Sequence, residues 1–214
     1  MTGDRGGLSA FQVELARLFF SLPESSGFLL AGGSALNAQG LVTRPTDDLD
    51  FFTQRGAGDV GAAGEALVRA VEQQNWTVDV VLAAPEFRRL MIDGPGRVLV
   101  DLAVDSPPTV PATITIAGPA LAPPELAVRK TLALFSRAEG RDFTDVFVLN
   151  QRFDRDDLIA QAAELDAGFD LQRFAQSLRA HRRLSDDQFP DVGVPVEHIR
   201  SYFDAWAEEL TGSG

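Results

Sequence analysis

Between Phe28 and Phe52 the chain reads as an apolar strand, a glycine turn, a brief helix and a second strand with two carboxylates set among apolar residues. The turn is Gly32-Gly33-Ser34, the helix runs from Ser34 to Gln39, Gly40 stops it, and the second strand spans Asp48 to Thr53. Asp48 and Asp50 are two residues apart, so an extended backbone turns both to one face. Leu49, Phe51 and Phe52 make their surroundings apolar, and carboxylates in such a setting repel unless a cation or donors stand beside them. A glycine turn that opens a helix presents backbone N–H groups to phosphate. The combination specifies a seat for a nucleoside triphosphate with a divalent cation, magnesium or alternatively manganese, and assigns Asp48 and Asp50 as metal ligands.

A third ligand is expected from a neighbouring strand. Asp101 interrupts the apolar run Val98-Leu99-Val100-Asp101-Leu102, which would otherwise suit a strand buried on both faces. It is preferred to Asp105, which precedes Ser106-Pro107 and reads as a turn residue. Gly32, Gly33 and Ser34 are assigned to the triphosphate through backbone amides and one hydroxyl. Thr46 lies two positions before Asp48, so its hydroxyl shares that face. Arg44 is placed either on phosphate or as a counter-charge to the carboxylates.

The rest of the chain sets the architecture. Leu8 to Phe20 has helical apolar spacing, ended by Pro23. Ala62 to Glu72 is a helix and Trp76 to Leu82 a strand. Glu86 to Ile92 and Arg97 to Val104 form a hairpin across Asp93-Gly94-Pro95-Gly96. Residues 106–124 hold six prolines around a short edge strand, Thr113 to Ile116. Beyond them the pattern is helical: Pro124 to Arg137, Asp142 to Asn150, Arg155 to Leu165, Leu171 to Arg182 and Val196 to Leu210. The expected fold is α/β (α+β), a mixed sheet with flanking helices over 1–110, then a linker and helical lobe over 111–214 that completes the active site.

Composition narrows the chemistry. The chain has no cysteine, so disulfides and thiolate chemistry are excluded, and its two histidines, His181 and His198, lie far from the glycine motif. No signal-peptide pattern or membrane-length apolar run is present, which places the protein in the cytoplasm by expectation. A net charge of −12 argues against broad nucleic-acid binding, DNA included, and suits a cationic substrate or a basic partner. Arginine outnumbers lysine 18 to 1. The one lysine, Lys130, is therefore notable, because arginine cannot replace a compact ammonium against a phosphate oxygen. Lys130 and Arg137 share a helix face, and Arg141, Asp142 and Asp145 begin the next helix. Asp142 reads as helix-end electrostatics with an arginine bridge. Lys130 is assigned to the triphosphate, with Asp145 orienting it or accepting a proton.

Two blocks carry a family resemblance. Gly32-Gly33-Ser34 with Arg44-Pro-Thr46-Asp-Asp48-Leu-Asp50-Phe is similar to the signature of DNA polymerase β-like nucleotidyltransferases. Lys130-x-x-Ala-Leu-x-x-Arg137 followed by Arg141-Asp142-x-x-Asp145 resembles the AbiEii/AbiGii toxin branch, which includes the mycobacterial MenT toxins. The resemblance spans about residues 28 to 150 and implies transfer of a nucleoside monophosphate from an NTP, with release of pyrophosphate. It implies Asp48 and Asp50 as metal ligands and Lys130 and Asp145 as basic and acidic catalytic groups; with Asp101 added from the strand pattern, two-metal nucleotidyl transfer is the expected mechanism. It further implies a tRNA 3′ end as acceptor, blocked translation, growth arrest and a separately encoded antitoxin, with Thr46 at a position where modification would silence the enzyme. The acidic balance departs from what RNA binding asks for, so the acceptor is assigned to a local cluster such as Arg179, Arg182 and Arg183, or Arg88 and Arg89. Two alternatives stand beside this reading: an antibiotic nucleotidyltransferase of the aminoglycoside or lincosamide kind, and a non-catalytic nucleotide-binding interaction protein.

Overall fold

Ser9 opens helix α1 (Ala10–Phe20) with a capping box. Its hydroxyl accepts the Gln12 N–H at 3.1 Å, and the Gln12 side chain returns to the Ser9 N–H at 2.8 Å. The structure, a computed structural model, describes residues 7–212. A single turn of 3₁₀ helix at Pro23–Ser25 leads into β1 (Phe28–Ala31), which runs directly into α2 (Gly32–Ala38). Then follow β2 (Asp48–Gln54), α3 (Val60–Gln73), β3 (Thr77–Ala84), β4 (Phe87–Asp93), β5 (Arg97–Asp105), β6 (Thr113–Thr115) and β7 (Gly118–Ala120). These strands make one seven-stranded mixed sheet in the order β3-β4-β5-β2-β1-β7-β6. The α/β expectation is met.

Alternation along β2 decides what faces what. Leu49, Phe51 and Thr53 are buried, whereas Asp48 and Asp50 on the opposite face are half-buried. The Phe51 ring meets Phe19 of α1 at 4.2 Å between centroids, which packs α1 on the Leu49 face. Helix α3 lies against the Arg88 side of β4, since a Cβ on Gly64 would stand 2.3 Å from the Arg88 Cδ. Register then places Arg89, the next residue, on the carboxylate face.

The expected edge strand is β6, and the expected hairpin is β4–β5 with Asp93 opposite Arg97. The second edge, β3, departs from the buried strand its apolar sequence suggests. Val80, Val81 and Leu82 are half exposed or more, because β3 pairs on one side only. Residues 111–120 are part of the sheet: β6 pairs with β7, which runs parallel to β1 with Leu30 opposite Ala120.

The chain divides into two compact units between Glu125 and Leu126, inside helix α4 (Pro123–Ser136). The second unit continues with α5 (Gly140–Leu149), α6 (Arg155–Leu165), α7 (Leu171–Leu178) and α8 (Val196–Gly212). Two short 3₁₀ segments, Arg179–Arg183 and Asp186–Gln188, fall between α7 and α8. Its core gathers Phe143, Phe174, Phe203 and Trp206, all fully buried or nearly so. His181 stacks edge-on against Phe143 at 5.7 Å, and burial pushes its imidazole below the usual range despite the nearby Asp204 carboxylate. Gly140 opens α5 because of crowding: a Cβ there would lie 2.0 Å from the Gln188 carbonyl oxygen. The left-handed turn that breaks α4 from α5 is made by Ala138, at φ 53°. Among the described residues no helix is long and apolar enough to cross a membrane.

Candidate active site

The pairing of β1 with β2 sets Ala31 opposite Asp50, so the glycine turn that follows Ala31 lies beside that carboxylate. Gly32 has φ 59°, and a Cβ on it would stand 1.7 Å from Asp50 Oδ2. A Cβ on Gly33 would stand 2.9 Å from Arg44 Nη2 and 3.0 Å from Thr46 Oγ1. One cradle therefore holds the turn, Asp50, Arg44 and Thr46; Gly32 is favoured by its left-handed backbone and by the approach of Asp50, Gly33 by the approach of Arg44 and Thr46 alone. Gly32→Ala is expected to cost about 1–3 kcal/mol, from the left-handed backbone and the displaced Asp50. Thermal denaturation checks this, and an unchanged midpoint would overturn it.

Within the cradle Thr46, Arg44 and Ser34 each make hydrogen bonds inside the protein. The Thr46 hydroxyl donates to Asp48 Oδ1 at 2.6 Å, and the Thr46 carbonyl accepts the Gln12 amide at 2.7 Å. Arg44 is 3% exposed; its Nη1 donates to the Pro45 carbonyl, and its own carbonyl accepts from Asn37 Nδ2. Ser34 is fully buried and its hydroxyl donates to the Ala31 carbonyl at 3.0 Å, so the hydroxyl expected to face a phosphate is engaged inside the fold.

Parallel pairing of β2 with β5 places Asp50 directly opposite Asp101, which puts Asp48, Asp50 and Asp101 on one face of the sheet. Asp101 is met there by Arg89 of β4, a residue the sequence reading did not assign to the carboxylates. Arg89 Nε donates to Oδ1 at 2.8 Å and Nη2 to Oδ2 at 2.6 Å, a two-pronged pair, with the guanidinium 5.4 Å from the Phe87 ring centroid. The hydrogen bond to Asp101 raises the Arg89 pKa, burial opposes it, and the charges of Asp101, Asp50 and Asp48 add to the increase. A signal for this pair was present: Arg89 and Asp101 stand equally far from Pro95 at the hairpin tip. Asp105, by contrast, accepts the Ser106 N–H at 2.7 Å, in keeping with a turn residue.

The donor set suits a hard cation. Among the described residues no group of three or more histidine, cysteine or acidic side chains forms a ready-made metal cage. Magnesium does not need one, since it is commonly held by one or two carboxylates together with substrate phosphates. Asp48 and Asp50 fit that pattern.

The second constellation lies in the second unit. Lys130 of α4 places Nζ 2.8 Å from Asp145 Oδ2 and 3.8 Å from Asp142 Oδ1, with both carboxylates fully buried. Arg137 grips Asp142 through two 2.8 Å hydrogen bonds, and Asp142 also accepts the Glu139 N–H at the start of α5. The arginine bridge and helix-end role expected of Asp142 are both present. Of the arginines expected to dock the acceptor, Arg88 donates to the Gly61 carbonyl, Arg89 to Asp101, Arg179 to the Ala207 carbonyl and Arg182 to Asp204.

A family model described as nucleotidyl transferase AbiEii toxin, type IV toxin–antitoxin system, matches residues 15–210. The chain belongs to the AbiEii nucleotidyltransferase toxin family. That AbiEii match takes in both constellations, from Gly32 to Asp145. Among solved structures, MenT4, the nucleotidyltransferase toxin Rv2826c of Mycobacterium tuberculosis, is similar at 14% identity and TM-score 0.56. The similarity covers 96% of this chain and 90% of that one. A putative nucleotidyltransferase from Helicobacter pylori matches at 14% identity and TM-score 0.56 over 97% of this chain and 99% of its own. JHP933 from Helicobacter pylori matches at 15% identity and TM-score 0.52, over 96% and 99% respectively. At such identities these structures establish that the AbiEii chain shares their nucleotidyltransferase fold. No curated protein sequence matches it.

Proposed function

We propose that this AbiEii-family protein transfers a nucleoside monophosphate from an NTP to an acceptor hydroxyl, with the tRNA 3′ end as acceptor, under the control of a cognate antitoxin. The observation that carries the reading is the pair Asp48 and Asp50 on one strand face, with Asp50 against the Gly32-Gly33 turn. Asp48 and Asp50 would hold magnesium, with Asp101 as the third carboxylate of that face. Bound there, the cation would neutralise triphosphate charge and acidify the acceptor hydroxyl.

The chain's own groups have these roles. The glycine turn lets phosphate oxygens approach the backbone, which a side chain at Gly32 or Gly33 would block. Thr46 orients the Asp48 carboxylate through its 2.6 Å hydrogen bond, and the buried Arg44 keeps a positive charge against the same turn. Lys130 and Asp145 would supply the basic and acidic groups that the family resemblance implies, the carboxylate orienting the ammonium or taking a proton. In the transfer, the acceptor oxygen bonds to the α-phosphorus as the bond to the bridging α–β oxygen breaks. Pyrophosphate leaves, and the acceptor proton passes to a carboxylate or to solvent.

Label transfer tests this. Purified protein with magnesium, total tRNA and each α-labelled NTP in turn is expected to label tRNA with at least one nucleotide. Label on an aminoglycoside or lincosamide instead would favour the second reading, which the net charge of −12 makes reasonable for a cationic acceptor. Absence of label on either acceptor would count against transferase activity.

A further inference from the structure

The carboxylate face already contains a cation of its own. Arg89, Asp101 and Asp50 occupy paired positions on three adjacent strands, β4, β5 and β2, so their side chains emerge side by side from one face. Arg89 covers both oxygens of Asp101 at 2.8 and 2.6 Å, and its guanidinium rests over Phe87. The Asp101 side chain is 11% exposed and that of Arg89 41% exposed. The carboxylate is thus set in the sheet, while the arginine reaches it from a more open position.

We propose that Arg89 is a positioning residue that competes with the divalent cation for Asp101. In the cation-free state the guanidinium stands in for metal and offsets the charge of the acidic face. Asp101 becomes a ligand only when Arg89 gives way, so metal affinity is set by the difference between the two partners. Such an exchange is physically reasonable here. A two-pronged arginine pair is strong but depends on planar alignment, and an arginine at this exposure has solvent to move into. Clustered carboxylates that lack any cation repel one another, so a resident arginine lets the sheet fold before nucleotide and metal arrive. The inference rests on the proposed function only in taking Asp48 and Asp50 as the metal-holding pair.

The test is manganese binding by electron paramagnetic resonance and calorimetry, in the full-length chain without nucleotide. Four proteins are compared with wild type: Arg89→Gln, Asp101→Asn, the double variant and Asp48→Asn. Glutamine keeps a hydrogen-bond donor and part of the stem. Arg89→Gln is expected to bind manganese about ten-fold more tightly, the scale on which partners of metal ligands act. Asp101→Asn alone should change affinity little, because Arg89 withholds that carboxylate in the wild type. The double variant should lose the gain, which ties it to Asp101 and not to a general change of charge.

Melting in chelator provides a second readout: Arg89→Gln should lose stability that manganese restores. If Arg89→Gln does not fold in chelator, Arg89→Lys, which retains the charge without the planar fork, should show a smaller gain in affinity. Unchanged or weaker binding in the folded Arg89 variants would overturn the proposal, as would a gain that persists in the double variant. Failure of the underlying reading looks different: Asp48→Asn would then bind manganese as well as wild type does.

Discussion

Asp48→Asn is expected to abolish nucleotide transfer, by at least on the order of a thousand-fold, while the protein stays folded. Loss of a single well-placed electrostatic group in an enzyme site commonly costs 10²–10³ in rate, and here the group would also hold the cation. The fold should survive for reasons visible around the residue. Asparagine is nearly isosteric, and its carbonyl oxygen can still accept the Thr46 hydroxyl that now donates at 2.6 Å. Asp48 is half-buried and shares a sheet face with Asp50 and Asp101, so removing one negative charge relieves repulsion. Circular dichroism and melting should therefore match wild type or improve slightly. Retained transfer in this variant would remove Asp48 from the metal site, whereas loss of activity together with loss of fold would make its role structural.

The second large effect concerns the only lysine. Lys130→Met takes the ammonium from the fully buried Asp145, 2.8 Å away, and from Asp142 at 3.8 Å. Breaking a buried pair from one side costs about 3–5 kcal/mol, because a desolvated charge is left behind. Asp142 keeps its two hydrogen bonds from Arg137, so the loss should fall mainly on Asp145. Adding Asp145→Asn removes the buried charge that faced the ammonium, and denaturant unfolding of the double variant should recover part of the lost stability. Activity should follow a different rule. Both variants should lack transfer, and Lys130→Arg, which retains the charge but not the compact ammonium, should fold and still be severely impaired. Transfer that recovers along with stability in the double variant would make the pair structural alone.

How much of this site could be read from residue order varies from one part to the next. The glycine turn and the Asp48–Asp50 strand were legible because their signals are local. Two glycines mark a bend, a two-residue spacing fixes a common face, and neither depends on distant chain. Lys130 and Asp145 stood out through a composition bias and a helix-to-helix spacing, and their side chains meet at 2.8 Å. Asp101 was found as an interruption in an apolar run, but its bond to Arg89 was missed. That bond depends on the hairpin register holding through the pair six residues on either side of Pro95. The exposure of Val80, Val81 and Leu82 was not legible at all, since an apolar strand looks alike at the edge and in the middle of a sheet.

By itself, the sequence determined most of the elements: which segments are strands, where chain direction must reverse, and which side chains share a strand face. Those are consequences of backbone sterics and spacing, which act over a few residues. The tertiary structure alone decided what each of those side chains touches. Strand order brought Asp101 beside Asp50 across residues far apart in the chain, and hairpin register put an arginine on it. Close packing turned the Ser34 hydroxyl onto the Ala31 carbonyl and set the Asp50 carboxylate against Gly32. Such outcomes depend on non-local pairing, where one step of register turns every side chain to the opposite face.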